Sequence, residues 1–165
     1  VYAGAKIALV SVRRNHRTSI DTMAKTGNYL NSVMALAEAR TRGAYEAVML
    51  AHRDYVTEGA SSNIFIVLGD TLLTPPLDAG ILEGITRKVV MRVAERAGLR
   101  VLQLNLSSQA LEKADEVFIT SSIREMVPIT QVDDSIIGGG QPGPIYQREK
   151  ALFAEYVAEY VKEHA

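Results

Sequence analysis

Apolar and polar positions along this chain fall into short blocks of two kinds, some alternating with period two and some with a period near 3.6, joined by brief polar turns. Ile7 to Val12 reads as a strand that runs into the basic turn Arg13-Arg14-Asn15-His16. From about Thr26 to Arg42 the apolar residues Leu30, Val33, Met34 and Ala37 recur at i, i+3, i+4 and i+7, and Gly43 follows as a stop. That spacing predicts an amphipathic helix. Tyr45–Ala51 with Tyr55–Thr57, around His52-Arg53-Asp54, and Asn63–Leu68 with Thr71–Thr74, around Gly69-Asp70, read as two antiparallel hairpins. Gly84-Ile85-Thr86-Arg87 opens a second helix, with Ile85, Val89, Val93 and Ala97 on one face and Gly98 at its end. Arg100–Leu106 reads as a strand, Ser107 or Ser108 caps a short helix, and Glu116–Thr120 is a further strand. After the turn Ser121-Ser122, Val127–Val132 and Ser135–Ile137 form another hairpin, and a last helix runs from about Pro144 to Glu163. Hairpins interleaved with helices predict an α+β or mixed α/β fold and argue against a strictly parallel doubly wound sheet.

Composition narrows the function classes. A chain of 165 residues, 47% hydrophobic and without a linker or internal repeat, is expected to form one domain over residues 1–165 with a real core. It has no cysteine, which excludes disulfides, thiolate metal sites and a thiol nucleophile and suits a reducing cytoplasm. Eighteen Lys and Arg against nineteen Asp and Glu leave a net charge of −1, giving no general reason to bind nucleic acid or an anionic membrane. No run approaches the roughly 20 apolar residues of a membrane span. The first residue is Val, followed at once by strand-like sequence, so a preceding segment is expected.

Several residues are candidates for chemistry. Gly138, Gly140 and Gly143 in GGGQPG satisfy GxGxxG, but only one helix follows, and a glycine-rich connection explains them better than a dinucleotide site. His16, His52 and His164 have no metal-ligand spacing, and GASSN lacks the GxSxG elbow of serine hydrolases. Lys25, in DTMAKTGNYL, stands where an extended segment enters a helix. The helix dipole and partial burial would both lower its pKa and favour the neutral amine that Schiff-base chemistry needs, although a lysine so placed is more commonly a solvated surface residue. Tyr29 lies four residues on, on the same side of the first turn. Glu58 ends a strand among small residues, where it is either a ligand group or a solvated turn acid. The N–H groups of Ile85 and Thr86, with the Thr86 hydroxyl, form a helix start that either holds an anion or is a plain cap. Ser121 and Ser122 add hydroxyls in a turn.

In order along the chain, AKTGNYLNSV, VTEGASSNIFIV, TPPLDAGILEGITR, ADEVFITSSIREMVPI and GGGQPGP closely resemble the C-terminal large domain of the fold-type IV, or class IV, pyridoxal-phosphate-dependent aminotransferases. That family includes branched-chain and D-amino acid aminotransferases and aminodeoxychorismate lyase, and the resemblance covers about residues 10 to 150. It implies the cofactor pyridoxal 5′-phosphate and amino acid and 2-oxo acid substrates. By resemblance, Lys25 matches the lysine that holds the cofactor as a Schiff base and shuttles the Cα proton. Tyr29 matches the tyrosine that hydrogen-bonds the cofactor's phenolic oxygen, and Glu58 the ionised acid that pairs with the pyridine nitrogen. Leu82 matches the apolar residue on the ring face, and Ile85 and Thr86 the phosphate-binding helix start. Ser122 stands where the family often has Thr for phosphate and substrate carboxylate, with the Ile123 amide beside it.

The departures concern substrate. Branched-chain enzymes commonly carry GTAAE where this chain has Ser121-Ser122-Ile123-Arg124-Glu125, so Arg124 is either a partner for a distal substrate carboxylate or a solvated rim residue. Two residues separate Lys25 from Asn28, as in the D-amino acid and lyase branches. The resemblance implies an aminotransferase. The alternatives are a lyase that releases pyruvate and an isolated domain without activity. It also implies a homodimer and a smaller N-terminal domain, absent from these residues, that gives the phosphate an arginine.

Overall fold

The sequence AKIALVSVR forms strand β1 (Ala5–Arg13), which is paired in parallel on both sides, with β2 (Glu46–Leu50) and with β9 (Glu125–Val132). The structure is a computed structural model, and it describes residues 3–14, 29–51 and 53–164. The other strands are β3 (Tyr55–Gly59), β4 (Asn63–Leu68), β5 (Thr71–Thr74), β6 (Arg100–Gln103), β7 (Leu106–Ser107), β8 (Glu116–Ser121) and β10 (Ser135–Ile136). They make one sheet in the order β6-β5-β4-β8-β9-β1-β2-β3-β7, with β10 on β9. Among the described residues, besides the two pairs at β1, only β5 and β6 run parallel; the remaining pairs are antiparallel, so the sheet is mixed as expected. The strand expected over Arg100–Leu106 is split: β6 joins one edge of the sheet and β7 the other.

The two faces of the sheet are covered differently. On one side, helix α1 (Leu30–Thr41) buries Ala35 and Ala39 in a cluster with Ala8, Val10, Ala44, Ala47 and Met49. The four residues expected on its apolar face do not pack inward: Leu30, Val33 and Met34 are 66%, 59% and 53% exposed, and Ala37 is exposed too. Alanines win the inward position because helix and strand approach as closely as their side chains allow. On the same side, farther along the sheet, helix α2 (Ile85–Arg96) and helix α4 (Pro144–His164) cover Phe65, Val67, Leu72 and Phe118, with Val90, Ala94, Tyr146 and Phe153 pointing in, while the opposite face encloses the core of Ile7, Val48, Ile64, Val117 and Val127 with Leu111. Of the face expected for α2, Val93 is buried and Val89 packs against the cluster of Phe65 and Phe118, whereas Ile85 in the first turn is 74% exposed and Thr86 and Arg87 are buried in its place.

Arg87 is among the largest fully buried side chains. Its Nη2 donates to Pro75 O and Gln103 Oε1, each at 2.9 Å, and its Nε to Thr74 Oγ1 at 3.4 Å, so the first turn of α2 is fastened to the ends of β5 and β6. Ser107 caps the short helix α3 (Ser108–Glu112), its Oγ accepting from Ala110 N at 3.1 Å. α4 starts against Glu116, whose Oε1 and Oε2 accept from Ile145 N at 2.9 Å and Tyr146 N at 2.7 Å. One turn on, the carboxyl of Glu149 is fully buried with neither oxygen hydrogen-bonded among the described residues. GGGQPG is a connection: Gly138–Gly140 form a single 3-10 turn between a two-residue antiparallel strand and α4, which is not the parallel strand-to-helix unit of a dinucleotide site. Among the described residues no helix is long and apolar enough to cross a membrane.

Candidate functional site

Four strands, β8, β9, β1 and β2, lie between β4 and β3 in the sheet, yet the three residues Ala60–Ser62 connect them directly. The sheet therefore curls until the ends of β3 and β4 meet, and Gly59 N donates to Ser62 O at 2.7 Å across the turn. Glu58 lies at this seam and is buried. Its Oε1 pairs with Arg14 Nη2 at 2.7 Å, while its Oε2 accepts from Leu82 N at 2.9 Å and Asn63 Nδ2 at 3.3 Å. Burial raises its pKa from 4.5 to about 7, against the pull of Arg14, the Leu82 N–H and Arg87. The ionisation implied by the resemblance is therefore opposed by burial and favoured by Arg14.

Asn63 and Arg14 extend this hub. Asn63 Nδ2 also donates to Leu82 O at 2.9 Å, and Arg14 Nε to Gly80 O at 3.4 Å, so both ends of the segment leading into α2 are held against Glu58. Gly84 precedes α2 with no side chain to cap the helix, which leaves the first amides, at Ile85 and Thr86, without a side-chain acceptor among the described residues. A Cβ at Gly84 would overlap Asn63 Oδ1. Gly84→Ala is therefore expected to push Asn63 off Leu82 and Glu58 and to cost about 1–3 kcal/mol, the range for losing buried hydrogen bonds. Thermal melting checks this, and an unchanged melting temperature would show that Asn63 gives way without loss.

The third wall is the β8–β9 turn. Asn63 pairs with Thr120 across β4 and β8, which sets the following residues, Ser121 to Arg124, beside the Ala60–Ser62 turn. Ser122 is exposed and Ile123 is 95% exposed. Arg124 is neither solvated nor unpaired: its Nη2 reaches Glu46 Oε2 at 2.9 Å and Ser61 Oγ at 2.6 Å, and its guanidinium lies 5.4 Å from the Tyr45 ring centre. Burial works against its charge, but hydrogen bonds to Tyr45 and Glu46 outweigh that and raise its pKa.

Lys25 and His16 lie outside the described residues, as does His52. The chain leaves the described part after Arg14, beside Glu58, and rejoins it at Tyr29, immediately before α1. Asn31 Nδ2 donates to Arg13 O at 2.9 Å, which brings these two ends together. Tyr29 is 59% exposed. His164 ends α4, stacked on Tyr160, and no group of three His, Asp or Glu among the described residues is placed to hold a metal.

Glu58 and Leu82 thus touch, Ile85 and Thr86 follow within one loop, and the turn at Ser122 adjoins through Ser61. Arg14, Asn63 and Glu46 were not identified from the sequence. Arg14 reads as one more cation in a basic turn, and Asn63 and Glu46 as the polar first residues of strands. Both strands are buried from their first residue, β2 through four residues and β4 through five, which leaves no solvated side there for an acid or amide.

The family model for Amino-transferase class IV matches residues 2–132. A putative branched-chain-amino-acid aminotransferase of Methanocaldococcus jannaschii is 40% identical over 152 residues, which is 92% of this chain and 53% of that protein. A branched-chain aminotransferase of Thermoproteus uzoniensis, solved with norvaline, superposes with a TM-score of 0.87 at 43% identity, over 92% of this chain and 50% of that one. An aminotransferase of Brucella abortus bound to PLP gives 0.88 at 30% identity, over 94% and 55%. The chain spans about half the length of the curated relatives it matches.

Proposed function

Because this chain belongs to the class IV aminotransferases, we propose that it carries the pyridoxal 5′-phosphate site of an enzyme moving an amino group between an amino acid, branched-chain or similar, and a 2-oxo acid. The observation that carries this reading is the setting of Glu58. A buried carboxyl held on Arg14, Leu82 N–H and Asn63 is poised to face one cationic nitrogen, and a helix start without a side-chain cap lies one loop away. An acid for a ring nitrogen and amides for a phosphate are the donor set this cofactor requires, so the residues fit it. When bound, the cofactor supplies an electron-withdrawing ring that stabilises negative charge at the substrate Cα.

The residues divide the work. Lys25 provides the amine that fixes the cofactor covalently and carries the proton to and from the substrate Cα. Glu58 faces the ring nitrogen and keeps a proton there; Leu82, whose amide is fixed on Glu58, bears on the ring face. Tyr29 is assigned to the phenolic oxygen. Ile85 and Thr86 N–H groups and the Thr86 hydroxyl receive the phosphate, and Ser122 with the Ile123 amide receives phosphate or substrate carboxylate. The proposal includes a single domain over residues 1–165, a cytoplasmic homodimer, and a smaller N-terminal domain outside these residues that completes the site.

Titration with pyridoxal 5′-phosphate tests the assignment. The expected result is a new absorbance band from the lysine linkage, abolished in Lys25→Ala and weakened in Glu58→Gln. A band that persists in Lys25→Ala removes that lysine from its role. An amino-donor panel with 2-oxoglutarate then separates transfer from the lyase alternative, which would release pyruvate with no acceptor present.

A further inference from the structure

Glu46 is the first residue of β2 and is completely buried, in a part of the fold with no role in the reading above. Both of its oxygens are engaged. Oε1 accepts from Ala47 N at 3.0 Å, and Oε2 accepts from Ser61 Oγ at 2.7 Å, Ser62 Oγ at 3.2 Å and Arg124 Nη2 at 2.9 Å. Arg124 in turn reaches Ser61 O at 3.3 Å and, through Nε, Ser121 Oγ at 3.3 Å. One buried carboxylate therefore binds together the turn after Glu58 and the turn that bears Ser122 and Ile123.

Stability alone is a poor account of this arrangement. A buried ion pair is often no better than well-packed apolar side chains, since desolvation of both charges offsets their attraction. What a fixed, bidentate-capable guanidinium gives in return is placement. Ser122 and Ile123 sit at the exposed tip of a hairpin, where strand pairing ends at Ser121 and Glu125. Arg124, the third residue of that tip, fastens it to the body of the domain.

We propose that Glu46 is a positioning residue: acting through Arg124, it holds the β8–β9 turn so that the Ser122 hydroxyl and Ile123 N–H point at the anionic group they receive. The inference rests on the cofactor reading above. It reassigns Arg124 from a partner for a distal substrate carboxylate to the clasp of the turn, because its Nη2 is committed to Glu46 and Ser61.

The test uses the parent chain, Glu46→Gln, Arg124→Gln and the double variant, each titrated with pyridoxal 5′-phosphate, with inorganic phosphate as competitor, and each followed by amide hydrogen exchange at Ile123. Each single variant is expected to bind the cofactor about tenfold more weakly, to lose phosphate competition to a similar degree, and to exchange faster at Ile123. The double variant is expected to be no worse than either single, since both act through one contact. Arg124→Gln lies nearer the surface and carries the test if Glu46→Gln does not fold. Cofactor and phosphate affinities that stay at parent values while the melting temperature falls would overturn the inference, as would losses that add in the double variant. A parent that binds the cofactor with variants that match it sinks only this inference, whereas a parent that binds none sinks the cofactor reading and this one with it.

Discussion

Glu116→Ala is expected to destabilise the fold by about 3 kcal/mol, because one side chain serves as the acceptor for the start of the longest helix. The opening of α4 leaves no spare partner. Pro144 has no N–H, Ile145 N and Tyr146 N donate to the two oxygens of Glu116, and Gln147 N donates to Gly143 O. Glu116 is buried, so water cannot readily replace it, and its charge faces the positive end of the helix. Hydrogen bonds to a charged group are worth about 1.5–3 kcal/mol each, and partial relaxation of the end brings the sum down. At roughly 2–4 °C per kcal/mol for a domain of this size, the melting temperature should fall by about 6–12 °C. Glu116→Gln, which keeps one acceptor, should fall between. Gly143→Ala should reproduce the loss, since a Cβ there would overlap the Glu116 carboxyl. A melting temperature for Glu116→Ala within a degree or two of the parent would mean the helix start finds other acceptors.

Glu149→Gln is expected to act in the opposite direction and only at higher pH. Burial raises the Glu149 pKa from 4.5 to about 7, with Arg148 opposing this incompletely. The folded state thus binds more protons than the unfolded one between those two values, and stability contributed by this group falls as pH rises through that window. Above it, the folded chain carries a buried charge with no hydrogen bond among the described residues, at a cost of up to about 3 kcal/mol. Glutamine keeps the shape and removes the charge. The variant should therefore melt about 6–12 °C above the parent at pH 8 and close to it at pH 5. Glu58 titrates over the same range but is common to both proteins, so the difference isolates Glu149. A gain of equal size at both pH values would show that charge is not the cause.

Both predictions concern buried acids, and these are what the sequence conceals. The hairpins are legible because Asn63–Leu68 and Thr71–Thr74 are apolar runs bounded by Gly69-Asp70, and turn chemistry is local. Glu116 looks like the polar first residue of a strand and Glu149 like one acid among several on a charged helix; their burial is decided by elements distant in sequence. The buried face of α1 differs from the one its pattern predicts for a related reason. Periodicity marks where the large apolar residues recur, and Leu30, Val33 and Met34 do recur, but it gives no weight to Ala35 and Ala39, which make the contact with the sheet. For the proposed site, Lys25, Glu58 and Ser122 are expected only through ordered resemblance to a family, and as isolated residues none of them stands out. Arg14, Asn63 and Glu46 belong to no local pattern, because each gains its meaning from a partner across the curl of the sheet.

That curl also sets an order of assembly. The pairs within the hairpins join residues close in sequence, Leu50 to Val56 and Leu68 to Thr71, whereas Arg14 meets Gly80 across 66 positions and Arg124 meets Glu46 across 78. Contacts that close long loops bear an entropic penalty that nearby pairs do not, so they are expected to form after the hairpins exist. The turns that wall the candidate site should consequently form late and open early, after the hairpins on either side of the seam are in place. A ligand that spans those walls would act as the final fold-closing contact, and the domain would gain from it more resistance to local opening than its own packing provides.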